Sequence, residues 1–171
     1  DAIPNPVVIL DIVSRELEAG PAKGRTDADV VAALVASGRA EIASLCAECE
    51  GNFLAMVYGS GSATLDDGEA ATIAWAVAHG STPIIDEKKG LSICQDRFPF
   101  VQAATTTDIF AHERVLAELG RDDLADAIFN ALIAARMRVQ ERHISWVIDM
   151  IGSSRAQLCH SLPLSTRKSQ R

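Results

Sequence analysis

The sequence predicts an α/β fold of three layers, in which a mostly parallel sheet is flanked by helices. Short β-branched runs such as Val7-Val8-Ile9 are typical of buried strands. Stretches with one apolar face, such as Asp66 to His79, are typical of helices and alternate with the apolar runs. With 171 residues, 48% of them hydrophobic, the chain can bury one sizeable core. In such sheets ligands bind beyond the carboxyl ends of the strands.

Capping residues and glycines set the expected boundaries of the elements. Asp11 can begin one helix, and Gly20, Gly80 and Gly120 can each end one. Residues 46–63 show no clear pattern, and Gly59 to Ser62 is expected to be a flexible connector. In chain order we predict a strand at 7–9, helices at 12–19 and 26–36, a strand at 41–45, a helix at 66–79, a strand at 82–86, a short helix after Gly90, a strand near 100–104, and helices at 108–119, 122–137 and 141–151.

The domain organisation follows from length and composition. We predict a single domain over residues 1–151 and a C-terminal tail over 152–171 that is partly disordered. No apolar run approaches the ~20 residues that cross a bilayer, and the first residues lack a basic region followed by an apolar one. The sequence therefore predicts a soluble, cytoplasmic protein that does not enter a membrane.

The formal net charge of −7 argues against a protein that coats nucleic acid through a broad basic surface. The charge is unevenly distributed. Residues 1–87 contain four basic and fourteen acidic side chains, and residues 88–171 contain twelve basic and nine acidic ones. An acidic half joined to a mildly basic half would suit a metal site beside a phosphate-binding surface, and ordinary variation of surface charge explains the difference equally well.

The four cysteines are expected to be reduced, since no secretory signal accompanies them. Cys46 and Cys49 have the spacing of zinc ligands, and Cys159 with His160 could complete a tetrahedral site. A zinc ribbon normally has two close pairs with tight turns around them, so the zinc site is not the favoured interpretation. For Cys94 in particular we expect the role of a small buried hydrophobe.

Three acidic residues are the candidate catalytic and metal-binding groups: Glu16 on the first helix, Glu69 in the first turn of the helix at 66–79, and Asp86 at the end of a predicted strand. Side chains at such places can converge at one edge of a parallel sheet. Converged carboxylates repel one another, and Mg²⁺ would relieve that repulsion. The structural alternatives are a solvated helix acid for Glu16 and a favourable helix-dipole interaction for Glu69.

Two linked motifs resemble the PIN-domain family, in a branch related to the toxin ribonucleases of toxin–antitoxin pairs. The first is Leu65-Asp66-Asp67-Gly68-Glu69-Ala70 before an alanine-rich helix, and the second is Pro83-Ile84-Ile85-Asp86-Glu87-Lys88-Lys89-Gly90. Val13-Ser14-Arg15-Glu16-Leu17 also resembles the family's early helix. The resemblance covers roughly residues 5–138 and is strongest over 64–90.

The resemblance implies a metal-dependent endoribonuclease that cleaves single-stranded RNA. Glu16, Glu69 and Asp86 would bind Mg²⁺ or Mn²⁺, with Asp67 or Glu87 as further candidate ligands. Lys88 and Lys89 would contact substrate phosphate, although a solvated loop explains them equally well. The implied partners are single-stranded RNA and an antitoxin protein, and a homodimer is a further possibility if the C-terminal face around Trp146 is exposed. We expect Trp146 and Ile151 instead to pack on the domain.

The chain departs from the family pattern at its start. The family's first strand, which carries a further metal-site Asp, would precede Val7, and the sequence as given apparently lacks it. The expected explanations are truncation, replacement of the strand by another chain, or degeneracy. The alternative function is therefore a PIN-like module that binds RNA or a protein partner without catalysis.

Overall fold

The computed structural model describes residues 6–19, 24–58 and 64–163. These residues divide into two compact units, one within 6–103 and the other over 104–163. Each unit has a hydrophobic cluster of its own. The single domain expected over 1–151 stays a prediction.

The first unit contains a two-stranded parallel sheet, which makes the fold α/β. Strand β1 is Val7–Leu10 and strand β2 is Ala40–Ala43, with Val7 opposite Ala40. Helices α1, Asp11–Ala19, and α2, Gly24–Ala36, connect the two strands. The strands predicted at 7–9 and 41–45 are confirmed with small shifts of their ends, and so are both connecting helices.

The described residues of the first unit form three more helices: α3 is Ala47–Val57, α4 is Asp67–His79 and α5 is Lys88–Arg97. The helix predicted at 66–79 is confirmed with its end at Gly80, and Asp66 is its N-cap and not its first residue. The Asp66 carboxylate accepts a hydrogen bond from the Glu69 backbone N–H at 2.9 Å. Gly80 ends the helix in the left-handed conformation, with φ 62° and ψ 33°. Ile73 and most of the alanines of α4 are buried against the core.

Helix α3 was missed by the sequence prediction. Gly51 and Asn52 in its middle weaken the helical pattern. An apolar series at helical spacing, Cys49, Phe53 and Met56, was nevertheless available. Cys49 and Met56 are fully buried and Phe53 packs against the same cluster, so the face that the spacing defines is the one that the core covers.

The strands predicted at 82–86 and near 100–104 were wrong. Each of these segments forms only a single bridge residue, Ile84 in one and Ala104 in the other. Burial does alternate as in a strand, with Pro83 and Ile85 buried and Ile84 exposed. A strand also needs a ladder of hydrogen bonds, and Pro83 has no N–H to contribute to one.

The second unit is helical. Its helices are α6, Thr106–Phe110, α7, Glu113–Ala134, α8, Ile144–Ile151, and α9, Ser153–Ala156, with a 3₁₀ turn at Glu141–His143. Helix α7 is interrupted at Gly120, where φ is 75° and ψ is 169°. The predicted boundary between two helices at this glycine therefore corresponds to a break in the backbone, and Gly is the residue that tolerates it.

The core of the second unit includes residues that the sequence assigned to the tail. Leu124, Ile128 and Val147 are completely buried. Residues 152–163 belong to this unit, and Cys159 and Leu162 among them are buried in its core. The rest of the predicted tail, 164–171, lies outside the described residues. Trp146 and Ile151 pack in this cluster, as predicted.

Within the described ranges, none of the helices combines the length and the apolar character that crossing a bilayer requires.

Candidate functional site

Glu16 extends from α1 to the first turn of α4. Its Oε1 accepts a hydrogen bond from the Gly68 backbone N–H at 3.0 Å. A Cβ atom at position 68 would lie 2.5 Å from Oε2 of Glu16. Because that distance is far below van der Waals contact, the carboxylate occupies the space that any side chain at position 68 would need. The interaction also supplies a partner to one of the free N–H groups at the start of α4.

Glu69 follows Gly68 and directs its carboxylate toward α5. A Cβ atom at Gly90 would lie 2.8 Å from Oε1 of Glu69 and 2.8 Å from Cγ2 of Ile85. Gly90 is buried in the first turn of α5. Both glycines of the two PIN-like motifs are thus positions where a candidate acid lies directly against the backbone.

Asp86 is half-buried and lies two residues before α5. Among the described residues, one set of three metal-ligating side chains has its ligand atoms within 4.8 Å of one another, and it contains none of the three candidate acids. The carboxylates of Glu16, Glu69 and Asp86 are therefore not gathered within that distance. Glu16 contacts Gly68, the residue before Glu69, and Glu69 contacts Gly90. The three carboxylates do not converge on a single point. Their role in metal binding stays a prediction.

The electrostatic environment of Glu16 is unfavourable for its charge. Partial burial of the carboxyl group, followed by repulsion from Asp66 and then Asp67, raises the pKa of Glu16 above its usual value. The hydrogen bond from Gly68 acts in the opposite direction and does not cancel these effects. A cation beside this group would stabilise the ionised form.

The charged residues next to the acids are open to solvent. Asp67 is exposed in the first turn of α4, and Glu87 is exposed at the N-cap of α5. Lys88 and Lys89 are the first two residues of α5 and are exposed as well. Two lysines that follow Asp86 so closely are available for contact with a phosphate, and the prediction of that contact stays open.

A second group of ligating side chains joins α3 to α4. One ligand atom each from Cys46, Cys49 and His79 lies within 4.8 Å of the other two. Cys46 is the N-cap of α3, Cys49 is in its first turn, and His79 is the last residue of α4. The two sulfur atoms are 2.6 Å apart and belong to free cysteines. Cys49 is completely buried, whereas His79 is exposed.

The surroundings of Cys49 and of its neighbour Glu48 shift their pKa values in opposite directions. Burial, and next the hydrogen bond with the Cys46 thiol, raise the pKa of Cys49. Glu48 is exposed beside the group, where hydrogen bonds from its own backbone N–H and from Cys46, and the nearby His79, lower its pKa. Without a cation, Cys49 is therefore held as a neutral thiol.

Of the four predicted zinc ligands, only Cys46 and Cys49 belong to this group. The other two were Cys159 and His160. Cys159 is buried in the core of the second unit, where its sulfur donates to the backbone oxygen of Arg155 at 3.3 Å. The third member of the group is His79, which sequence reasoning missed as a ligand. It lies 30 residues beyond Cys49, and no spacing rule connects residues so far apart. Cys94 is fully buried in the core, as predicted.

Comparison with protein-family models, with curated proteins and with solved structures found no match to this chain. The PIN-like resemblance therefore depends on the motifs of the chain itself.

Proposed function

We propose that the chain is a Mg²⁺- or Mn²⁺-dependent endoribonuclease of the PIN type that cleaves single-stranded RNA. Glu16, Glu69 and Asp86 are its metal-site acids. The observation that carries the proposal is the packing of two of these carboxylates against the glycines of the PIN-like motifs, Glu16 on Gly68 and Glu69 on Gly90.

This packing explains why glycine stands at positions 68 and 90 of the two motifs. A helix normally gains stability when Ala replaces Gly, so a glycine in the first turn of a helix needs an explanation. In α4 and α5 the explanation is the same, since a carboxylate approaches the backbone where a Cβ atom would lie. Glu16 and Gly68 are 52 residues apart in the sequence, and a contact over such a distance has to be built by the fold.

The donor set suits a hard cation. Carboxylate oxygens are the ligands that Mg²⁺ and Mn²⁺ prefer. The raised pKa of Glu16 reflects burial and the charges of Asp66 and Asp67, which a cation would offset. Mg²⁺ commonly keeps several waters, so the acids need not all bind it directly. Their spread beyond 4.8 Å is compatible with contacts through water or with closure of the site on binding.

A bound Mg²⁺ or Mn²⁺ would supply an activated water and positive charge at the leaving oxygen of the phosphodiester. The protein residues would hold the metal ion and orient the RNA phosphate. Glu16 on α1, Glu69 on α4 and Asp86 in the segment before α5 would hold the ion. Lys88 and Lys89 attract the phosphate backbone of RNA. No covalent enzyme intermediate is required. The setting that the resemblance implies is the toxin half of a toxin–antitoxin pair.

The second candidate is a PIN-like module that binds RNA or a protein partner without cleaving RNA. It is favoured by one observation, that the ligand atoms of the three acids are not gathered within 4.8 Å of one another. A module without catalysis would not need to gather them.

The test is cleavage of end-labelled single-stranded RNA by the purified chain in Mg²⁺ or Mn²⁺. We expect cleavage that EDTA abolishes. Asp86→Asn and Glu69→Gln keep the size of the side chain and remove its charge. Each should lower the cleavage rate by roughly 100-fold, the scale of losing a group that stabilises transition-state charge.

Asp29→Asn and Glu41→Gln are the matched controls, because both residues are exposed acids of the same unit outside the candidate site. Their cleavage rates should equal that of the unchanged chain. Cleavage that persists in Asp86→Asn would contradict the assignment. A folded protein that binds the RNA without cutting it would establish the second candidate.

A further inference from the structure

The group formed by Cys46, Cys49 and His79 has no part in the proposed nuclease chemistry. We propose that these three side chains bind one Zn²⁺ ion, which ties the start of α3 to the end of α4. The observation that supports this proposal is that two sulfur atoms and a ring nitrogen, from the ends of two helices, lie within 4.8 Å of one another.

The ligands have the chemistry of a zinc site and not of a magnesium site. Two thiolates and an imidazole are soft or borderline donors, which Zn²⁺ prefers and Mg²⁺ avoids. His79 is ten residues after Glu69 on α4, which is about 15 Å along the helix axis. The zinc site and the proposed nuclease site are therefore separate, and they take different ions.

The distances require one small adjustment. In a tetrahedral site with Zn–S bonds of ~2.3 Å, two sulfur ligands are ~3.8 Å apart. The sulfur atoms of Cys46 and Cys49 are 2.6 Å apart, so they must separate by about 1 Å on binding. Cys46 is only half-buried at the N-cap and can change its rotamer, whereas Cys49 is held in the core.

The hydrogen bond that His79 makes through Nδ1 leaves its other ring nitrogen available to a metal. Its Nδ1 lies 3.0 Å from the backbone oxygen of Trp75, and a carbonyl oxygen can only accept, so Nδ1 carries the proton. Nε2 then has the lone pair that binds metal. Metal-ligating histidines commonly donate their second N–H to a carbonyl in this way. The ring also stacks on Trp75 with centroids 3.7 Å apart and planes 15° from parallel, which fixes its orientation.

Three protein ligands leave one coordination position. In a tetrahedral site this position would be open to water. The main effect of the ion is on stability, because a cation that binds only the folded arrangement shifts the folding equilibrium by mass action. Helix α4 carries Glu69, so zinc would also stabilise the helix on which the proposed nuclease site is built.

The test uses the full chain, prepared under reducing conditions, freed of metal and titrated with Zn²⁺ and with Co²⁺. We expect one equivalent of zinc by elemental analysis and a higher melting temperature in its presence. Co²⁺ should give the visible bands of a tetrahedral site and a thiolate charge-transfer band. These readouts do not depend on RNA cleavage, so this proposal and the nuclease proposal can fail separately.

Cys46→Ser and His79→Gln should each abolish one-to-one binding and the cobalt spectrum. Cys159→Ala and His160→Gln remove the same kinds of side chain from the second unit and should bind as the unchanged chain does. Three results would overturn the proposal: the absence of a thiolate–cobalt spectrum, unchanged binding in His79→Gln, or a protein that binds no zinc and forms a Cys46–Cys49 disulfide in air. The last would identify a redox pair instead.

Discussion

At Gly68 and Gly90 a carboxylate occupies the space that a side chain would need. The two positions differ in what surrounds that space. At Gly68 the three nearest atoms all belong to the end of the Glu16 side chain, which is flexible. At Gly90 one of the close atoms is Cγ2 of Ile85, which is 4% exposed and packed in the core. The same substitution is therefore expected to have different effects at the two sites.

Gly68→Ala should displace the Glu16 carboxylate at little cost in stability. The loss of the hydrogen bond is offset by the higher helix propensity of Ala, so the free energy of unfolding should change by less than about 1 kcal/mol. In a Glu16→Ala background the clash is absent, and Gly68→Ala should stabilise by about 0.5–1 kcal/mol. Urea denaturation of the four proteins measures this coupling. Equal effects in both backgrounds would show that the two residues do not interact.

Gly90→Ala should be more disruptive, because Ile85 is buried in the core of the first unit. We expect a loss of about 1–3 kcal/mol, the usual cost of an extra group in a packed core. Gly51→Ala is the matched control, since it also lies within a helix and its Cβ would meet nothing within 4 Å. It should leave stability unchanged or raise it by up to ~1 kcal/mol. Similar thermal stabilities for the two variants would rule out the close packing at Gly90.

Among the elements, α6 shows most clearly how a short helix is held. With five residues it is too short to persist alone. Thr105 and Asp108 form a capping box at its start, and Asp108 also binds Arg142 and His143 of the 3₁₀ turn at 2.7 Å each. Burial of Asp108 alone would raise its pKa, but hydrogen bonds from Arg142, Thr105 and His143 together hold that pKa well below 3.8.

The lowered pKa of Asp108 predicts a pH-dependent contribution to stability. The folded state binds the proton more weakly than the unfolded state, so the stabilisation is present above the unfolded pKa and is lost as pH falls. Asp108→Asn should cost about 2–3 kcal/mol at neutral pH, as expected for hydrogen bonds to a charged group. The difference from the unchanged chain should shrink below about pH 4. Urea unfolding at a series of pH values measures it.

Asp126→Asn is the control for this measurement. Asp126 pairs with Arg155 at 2.6 Å, but its side chain is 58% exposed. An exposed ion pair contributes little, so the variant should lose no more than about 1 kcal/mol at any pH. An Asp108→Asn cost that is as small, or one that stays constant down to acid pH, would contradict the role assigned to the Asp108 network.

For the whole molecule, the notable feature is that each compact unit has its own core and its own tryptophan. Trp75 packs against the cluster of the first unit and Trp146 against that of the second. The chain has two tryptophans in all. Trp75→Phe and Trp146→Phe therefore give proteins whose remaining fluorescence reports one unit at a time.

These reporters test whether the chain unfolds as the single domain that its length suggests. Ile128 is completely buried in the second core, and Ile128→Ala should lower stability by about 2–4 kcal/mol as seen by Trp146. If the chain is one cooperative domain, the transition seen by Trp75 moves by the same amount. A Trp75 transition that keeps its midpoint would contradict the single-domain prediction.

The sequence predicted best what depends on neighbouring residues. The end of helix α4 was predicted because Gly80 acts within one turn of it, whereas Asp66 was placed inside the helix and is its N-cap. The break at Gly120 was predicted because glycine is the residue that most readily adopts the positive φ at which a helix is interrupted. The strand predicted at 82–86 failed because a strand needs a partner, and its local apolar pattern contains no information about one.

The sequence by itself determined the α/β class, helix α4 with its end at Gly80, the buried roles of Cys94 and Ile151, and the choice of Glu16, Glu69 and Asp86 as candidate acids. Only the tertiary structure decided which of these groups meet. Glu16 lies against Gly68, and His79 joins Cys46 and Cys49, through contacts between helices that are distant in the chain. Such contacts depend on how whole helices pack, and packing is a property of the assembled core that no local pattern of residues specifies.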